Sequence, residues 1–525
     1  MRTTSTDLSR RDFLRLAAGA LPFFVSACGE DGIGEAPGGT SGGTSGGVAP
    51  TTSGGSSSGG AADGSTSSSG EAETSTGETG ETGAADATTG EPAYCGGELV
   101  EFDPDAVAED LVRYPRAVLA GAMRPTSAVL CGHTQAGEAA VLRVWQPGER
   151  AGQVRLSVEV ELVADERGGL RHKVEGLCPG QWYRYGFFTG EGDEWPGRSV
   201  LGEFRAALAE DAVEPLTVAI SACNHLENRP WPALAVTADE YYDVFLHLGD
   251  MAYNDAAVDL AGYRANWHEH LLAESGGQIS GMARAFGRAG LYATLDDHEI
   301  TNNFDPETVE PARLAAALQS WFEAIPLIDD DSQQIWRSWR WGRSVEFFVL
   351  DCRTERRPST METPAPEYLG PAQMTWLKEQ LAASPCHFKV VLNSVPITNM
   401  PDLPWDFVKG DRWEGYELQR VELLEWIHME GIRNVWFVSG DFHVCFVGQI
   451  QPGADGLLGS LQEVAVTGGN TNTLGDFLPG DQFAFGSSQA HALLMTFDPA
   501  ADEVLVRFID PETGEDAYAA TLSQV

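Results

Sequence analysis

The stretch "LHLGDMAYND", residues 246–255, closes an apolar run that begins at Val244 and ends on a Gly-Asp pair, with Tyr253 three residues beyond Asp250. A segment that is hydrophobic at consecutive positions has no polar face to give to water. It is therefore expected to be a strand covered on both sides, as in parallel sheets. Five more segments share this character: PLTVAISACN (215–224), GLYATLDDHE (290–299), VEFFVLDCR (345–353), FKVVLNSVP (388–396) and NVWFVSGDFH (434–443). Between them lie amphipathic stretches, 259–274, 311–325, 371–383 with Pro371 in its first turn, and 417–431 stopped at Gly431. Strands and helices in alternation predict an α/β fold. Beyond 460, EVAVTGGN (463–470) and the run 491–510 add strands, the last two as an antiparallel hairpin.

The reason for a carboxylate and a phenol at the end of a buried strand lies in the other strands. Cys223 and Asn224, Asp250 and Tyr253, Asp296, Asp297 and His298, and Asp441 and His443 all follow such strands. In open α/β sheets, ligands bind outside the carboxyl ends of the strands, so these ends are expected to converge on one cleft. Four carboxylates gathered there repel one another unless cations sit between them. Thiolate, phenolate and imidazole (Cys223, Tyr253, His443) suit a transition metal, ferric iron above all, whereas Asp and Asn oxygens suit harder divalent ions. His247 is assigned to the core of its strand, and His225 and His268 receive no role.

Upstream, residues 104–208 are β-rich. The runs SAVLCGHT, AVLRVWQP, QVRLSVEVEL, LRHKVEGL and WYRYGFFT are separated by Gly, Pro and charged turns, the spacing of a β-sandwich of the fibronectin or immunoglobulin kind. No catalytic constellation falls there, so 96–209 is expected to be an accessory β-sandwich domain and 210–525 the domain that carries the chemistry.

The first residues give an address. SRRDFLR (9–15) has the paired arginines of a twin-arginine export signal, and the apolar run Leu16–Ala27 is too short to span a bilayer as a mature helix. VSAC (25–28) resembles a lipobox, which implies a signal peptide over 1–28, lipidation of Cys28 and anchoring to the cell envelope, periplasmic or at the cell surface. Residues 29–95 are Gly, Ser, Thr and Ala with scattered acids and neither Lys nor Arg. Such a segment buries too little apolar surface to fold. As a coil of about 67 residues it would span roughly 45 Å, enough to tether a folded body away from a membrane.

The chain carries a net charge of −43; ten acids fall in 29–95 and residues 1–28 contribute +2, which leaves −35 on the body. A body so acidic repels nucleic-acid backbones, so a phosphate ligand needs a local positive centre, which metal ions supply. Of eight cysteines, seven remain after Cys28, an odd number in an exported protein, and no CxxC pair suggests a zinc ribbon.

GDMAY resembles the GDxxY of purple acid phosphatases and calcineurin-like metallophosphoesterases, and SGDFH stands where many of these have GHxH. SACN, LDDHEITNN, LDCRTERR, LGPAQMTWLKEQL, DRWEGYELQR and SGDFHV together resemble, in kind and order, the alkaline phosphatase D (PhoD) family over about 100 to 525. The resemblance implies a metallophosphoesterase αββα sandwich behind the N-terminal module, and an exported phosphomonoesterase and phosphodiesterase using Fe(3+) and Ca(2+). It implies Cys223, Tyr253 and His443 as iron ligands, Asp250 as a bridging carboxylate and Asp441 as a ligand of the second metal. Asp297 matches the Asn of GNHE, with Asp296 able to share that role, and Asn302 or Asn303 supplies a calcium oxygen. Two departures stand out: VLNSVPI lacks the histidine of the calcineurin-like VxxH, leaving Asn393 in an unexpected place, and the aromatic-rich GDYIYE is GDMAYND here.

The expected chemistry is attack on phosphorus by metal-bound hydroxide or oxide. His298 is the candidate to protonate the leaving oxygen, or else a histidine that orients Asp297. Arg353, with Arg356, is the candidate to hold non-bridging oxygens. Expected partners are small-molecule phosphate esters, no specific nucleic acid, and a membrane through Cys28, with the body a monomer. The rival functions are an inert lipid-anchored binding protein and a two-metal nuclease or phosphodiesterase.

Overall fold

Alternation along the buried strands builds the layers. In Leu216–Ser221, Leu216, Val218 and Ile220 point into one apolar cluster, and Ala219 into another on the opposite face. Val244–His247 repeats this with Val244 and Leu246 on one side and Phe245 on the other. In Val345–Val349, Phe388–Leu392 and Val435–Ser439, Phe347, Val390 and Val438 join the first cluster, while Phe348, Val391 and Phe437 enter a third. Side chains of period two, apolar on both faces, thus form one core between two sheets and one beneath each helical layer.

The computed structural model describes residues 96–191, 194–326, 333–400 and 409–524. The expected signal peptide with Cys28 and the linker over 29–95 lie outside the described residues. Among the described residues no helix is long and apolar enough to cross a membrane.

Among the described residues, one sheet has nine strands. Its centre is parallel: Leu216–Ser221 beside Val244–His247 beside Gly290–Ala293. The antiparallel strands Ala492–Asp498, Glu503–Ile509 and Asp516–Leu522 extend one side, so the expected hairpin is present with a further strand at the edge. The second sheet has seven strands, with Val345–Val349, Phe388–Leu392, Val435–Ser439 and Gln462–Ala465 parallel at its centre.

The helices Leu260–His270 and Pro311–Ala324 cover the outer face of the first sheet, and Pro371–Ala383 and Glu417–Met429 that of the second. Their starts follow from local chemistry. Asp259 accepts the Gly262 amide at 2.9 Å, and Glu310 accepts the Arg313 amide at 2.7 Å. Gly431, at φ +64°, follows the last of these helices.

All five N-terminal runs are strands, but they divide between sheets. Gln153–Val163, Ala139–Pro147 and Trp182–Glu191 belong to a separate six-stranded antiparallel sheet. Ser127–His133 and Gly169–Glu175 instead continue the nine-stranded sheet through the short strand Leu119–Gly121, which pairs in parallel with Gly290–Ala293. The two groups face each other closely: a Cβ on Gly132 would stand 2.5 Å from the Phe187 ring.

Candidate metal centre

The parallel strands of both sheets end at one place. From the first sheet come Cys223, Asp250 and the Asp296–His298 run, and from the second Arg353, Asp441, His443 and Asn470. The approach is tight. A Cβ on Gly440 would lie 2.6 Å from the Ala222 Cβ, and one on Gly249, whose φ is +103°, would lie 2.5 Å from the Asp296 Cβ and 2.7 Å from its amide nitrogen. Only glycine fits either position. Cys223, Asp250, Asp441 and His443 all have φ between +56° and +63°, a conformation that costs a residue with a Cβ about 1–2 kcal/mol. Strain concentrated at candidate ligands is what a functional site tolerates.

Among the described residues, three groups of donor atoms have all members within 4.8 Å of one another: Cys223, Asp250 and His443; Asp250, Asp297 and His298; Asp296, Asp297 and Asp441. Tyr253 completes the first group, its hydroxyl 3.3 Å from Asp250 Oδ2 and 3.3 Å from His443 Nε2. Asp250 belongs to two groups and Asp297 to two, so the three groups form a chain joined by shared carboxylates.

The site gathers more negative than positive charge. Asp250, Asp296, Asp297, Glu299, Asp411 and Asp441 bring six carboxylates, against which stand the guanidinium groups of Arg353 and Arg356. Burial raises the carboxyls of Asp250 and Asp441 well above the usual range, opposed by His298 and Arg353 respectively and reinforced by the neighbouring acids. Burial likewise raises the Cys223 thiol and the Tyr253 phenol, with Asp250 adding to both. His443 is pushed down to about 4, by burial first and by His298 next, which leaves its imidazole neutral and able to ligate. Asp296 Oδ2 is buried without a hydrogen-bond partner among the described residues. An orphaned carboxylate oxygen within a cluster of soft and hard donors fits bound metal ions.

His298 lies against Tyr253 with ring centroids 4.0 Å apart, and its backbone amide donates to Asp250 Oδ1 at 3.3 Å. Its Nδ1–H donates to Asp255 at 2.8 Å, which leaves Nε2 as the atom free of that carboxylate. Burial works against its protonation, but Asp297, Asp250 and Asp255 outweigh it and raise His298 well above the usual histidine range.

Arg353 and Arg356 are buried rather than set on an exposed loop. Arg353 pairs with Asp296, with Asp411 at 2.6 Å, with Asp441 at 2.6 Å and more distantly with Asp297 at 3.7 Å. Arg356 pairs with Asp411 and donates to the Phe304 carbonyl at 2.6 Å. At 302–303 it is backbone that reaches the acids: the Asn302 amide donates to Asp255 at 2.5 Å and the Asn303 amide to Asp297. Asn393 accepts through Oδ1 from Cys352 Sγ at 2.9 Å and Trp413 Nε1 at 3.1 Å. His247 is a core residue as expected, its Nε2 2.9 Å from Asn224 Oδ1.

Four residues escaped sequence reasoning. Glu299 accepts the amides of Met251 at 2.6 Å, Asp296 at 2.9 Å and Asp250 at 3.1 Å, fastening two strand-end loops together. Burial pushes its carboxyl up to about 7, although the amides hold it down. Asp255 orients His298, Asp411 bridges Arg353 and Arg356, and Asn470 donates to the Tyr253 hydroxyl at 2.8 Å. All four fall within stretches of sequence already singled out, Glu299 in LDDHEITNN, Asp255 in GDMAYND, Asp411 in DRWEGYELQR and Asn470 in EVAVTGGN, but none carries a role there.

The two sheets thus deliver shared carboxylates, a thiol, a phenol and an imidazole to one point, a candidate metal centre. Residues 218–493 match the model of the family described as PhoD-like phosphatase, and the chain belongs to that family. It is 26% identical over 332 residues to alkaline phosphatase D of Bacillus subtilis (strain 168), a match covering 54% of this chain and 55% of that protein. The chain thus spans about half the length of that curated relative. The solved structure described as "Structure of PhoD" superposes with a TM-score of 0.65 at 20% identity, covering 79% of this chain and 90% of that one. Purple acid phosphatase PPD1 from yellow lupin seeds superposes with a TM-score of 0.55 at 14% identity, covering 78% and 74%. These two likenesses bear on the fold, which is mixed α/β and shared with both.

Proposed function

We propose that this protein is an exported, metal-dependent phosphatase that hydrolyses small-molecule phosphate monoesters and diesters. The observation that carries the reading is the chain of donor groups linked through Asp250 and Asp297, with Cys223, Tyr253 and His443 at one end and Asp296 and Asp441 at the other. Cys223, Tyr253 and His443, with Asp250, would hold Fe(3+), and Asp296, Asp297 and Asp441, with Asn302, would hold Ca(2+). Bound there, the ions supply positive charge for the phosphoryl oxygens and acidify a water as nucleophile.

The chain's own residues do the rest. Asp255 fixes the tautomer of His298, whose Nε2 is then the atom able to pass a proton to the leaving oxygen. Arg353, fully buried with its guanidinium spent on Asp296, Asp411 and Asp441, holds these acids in place rather than reaching substrate oxygens. Residues 96–209 add an accessory antiparallel sheet and, through Ser127–His133 and Gly169–Glu175, also extend the nine-stranded sheet of the site; residues 1–28 act as a twin-arginine lipoprotein signal that leaves the protein anchored through Cys28 with 29–95 as tether. Release of phenolate from an aryl phosphate monoester and diester, measured before and after chelation, tests the activity. Hydrolysis lost on chelation and restored by iron with calcium supports it, and a fully metallated protein without hydrolysis refutes it.

A further inference from the structure

The loop after Gln462–Ala465 reaches three of the candidate iron ligands. The Asn470 amide donates to the Cys223 carbonyl at 3.0 Å, the Asn472 amide to the His443 carbonyl at 2.8 Å, and the Asn470 carboxamide to the Tyr253 hydroxyl at 2.8 Å. Its approach depends on two glycines. A Cβ on Gly468 would overlap Ser221 Oγ and stand 2.9 Å from Asn224 Nδ2, and one on Gly469 would stand 2.7 Å from the Cys223 carbonyl oxygen. The Asn470 carboxamide cannot turn freely, because its Oδ1 accepts from Asn228 Nδ2 at 2.7 Å. With Oδ1 so engaged, Nδ2 is the atom presented to the phenol.

We infer that Asn470 is a positioning residue for Tyr253, its N–H holding the phenol oxygen at the point shared with Asp250 and His443 and drawing electron density from it once it ligates. The inference rests on the iron reading above. A phenolate relieved of a hydrogen bond is a better electron donor, so its charge-transfer band to ferric iron moves to longer wavelength. Asn470→Asp is the sharpest probe. It is near-isosteric, keeps the backbone bond to Cys223 and the acceptor for Asn228, and replaces the donor facing Tyr253 with a carboxylate oxygen, so Asn470→Ala, which removes the donor without adding charge, is read beside it.

The test is the visible spectrum and iron content of the purified wild type, Asn470→Asp and Asn470→Ala. A coloured wild type with both variants shifted to longer wavelength supports the assignment, as does about a 10–100-fold loss of iron affinity at unchanged melting temperature. A coloured wild type with unshifted, fully loaded variants overturns the role of Asn470 and leaves the iron reading intact. A fully metallated but colourless wild type overturns the iron–phenolate reading, and this inference with it. Should both variants fail to fold, Asn228→Ala frees the same carboxamide from its outer partner without touching Tyr253. A shift in its band then supports the assignment, and an unshifted band overturns it.

Discussion

Substitution of Glu299 tests whether the metal centre is held together from behind. Its Oε1 takes the Met251 amide, and Oε2 takes those of Asp250 and Asp296, all in the interior. Glu299→Gln keeps at best the two amides on one oxygen and turns an NH2 group against the third. One charge-assisted bond is lost and one buried amide is orphaned, at a cost of about 3 kcal/mol. Glu299→Ala orphans all three and costs about 5 kcal/mol. At about 2.1 cal/mol/K per residue, a body of about 430 residues has an unfolding entropy near 0.9 kcal/mol/K, so the melting temperature falls by about 3 °C and about 6 °C. Calorimetry at pH 8 on chelated protein, above the value near 7 to which burial pushes Glu299, reads both shifts. Equal melting temperatures for wild type and Glu299→Gln would refute the fastening role.

Three further outcomes follow from the same geometry. Gly249→Ala places a Cβ 2.5 Å from the Asp296 Cβ at a φ of +103°, so it destabilises by about 3 kcal/mol or more and lowers metal content, both measurable by melting and elemental analysis. Asp255→Asn removes the charge that orients His298, and kcat for an aryl phosphate drops about 10–100-fold with KM little changed; a kcat within twofold of wild type contradicts it. Burial depresses His247 to about 3, so the stability this neutral histidine contributes is complete above its unfolded value near 6.5 and is lost as pH falls toward 3. At pH 5 the loss is about 2 kcal/mol, absent from His247→Gln when the urea midpoints of the two proteins are compared between pH 7 and 5.

The strands and their ends were legible because burial on both faces writes consecutive apolar residues, and because a ligand after each strand repeats a single pattern. Cys223, Asp250 and His443 came together from that pattern alone, although each lies on a different strand end. Arg353 was legible as a site residue, but its full burial among four acids was not, since a motif says nothing about which carboxylates its neighbours turn inward. Asp411 and Asn470 sit on loops with no periodicity, and their partners are far away in sequence. The division of the N-terminal strands between two sheets was also hidden, because alternation reveals that a strand has two faces and not which neighbour it pairs with. The short helices Pro232–Thr237 and Gly281–Arg288 were missed because they offer little more than two turns of pattern at most.

Anomalous diffraction from crystals of the purified protein at the iron absorption edge tests the central claim most directly. A peak within bonding distance of Cys223 Sγ, Tyr253 Oη, Asp250 and His443 Nε2, with a second, iron-free metal density beside Asp297 and Asp441, is the predicted result. A folded, active protein whose Cys223 and Tyr253 touch no metal would contradict it.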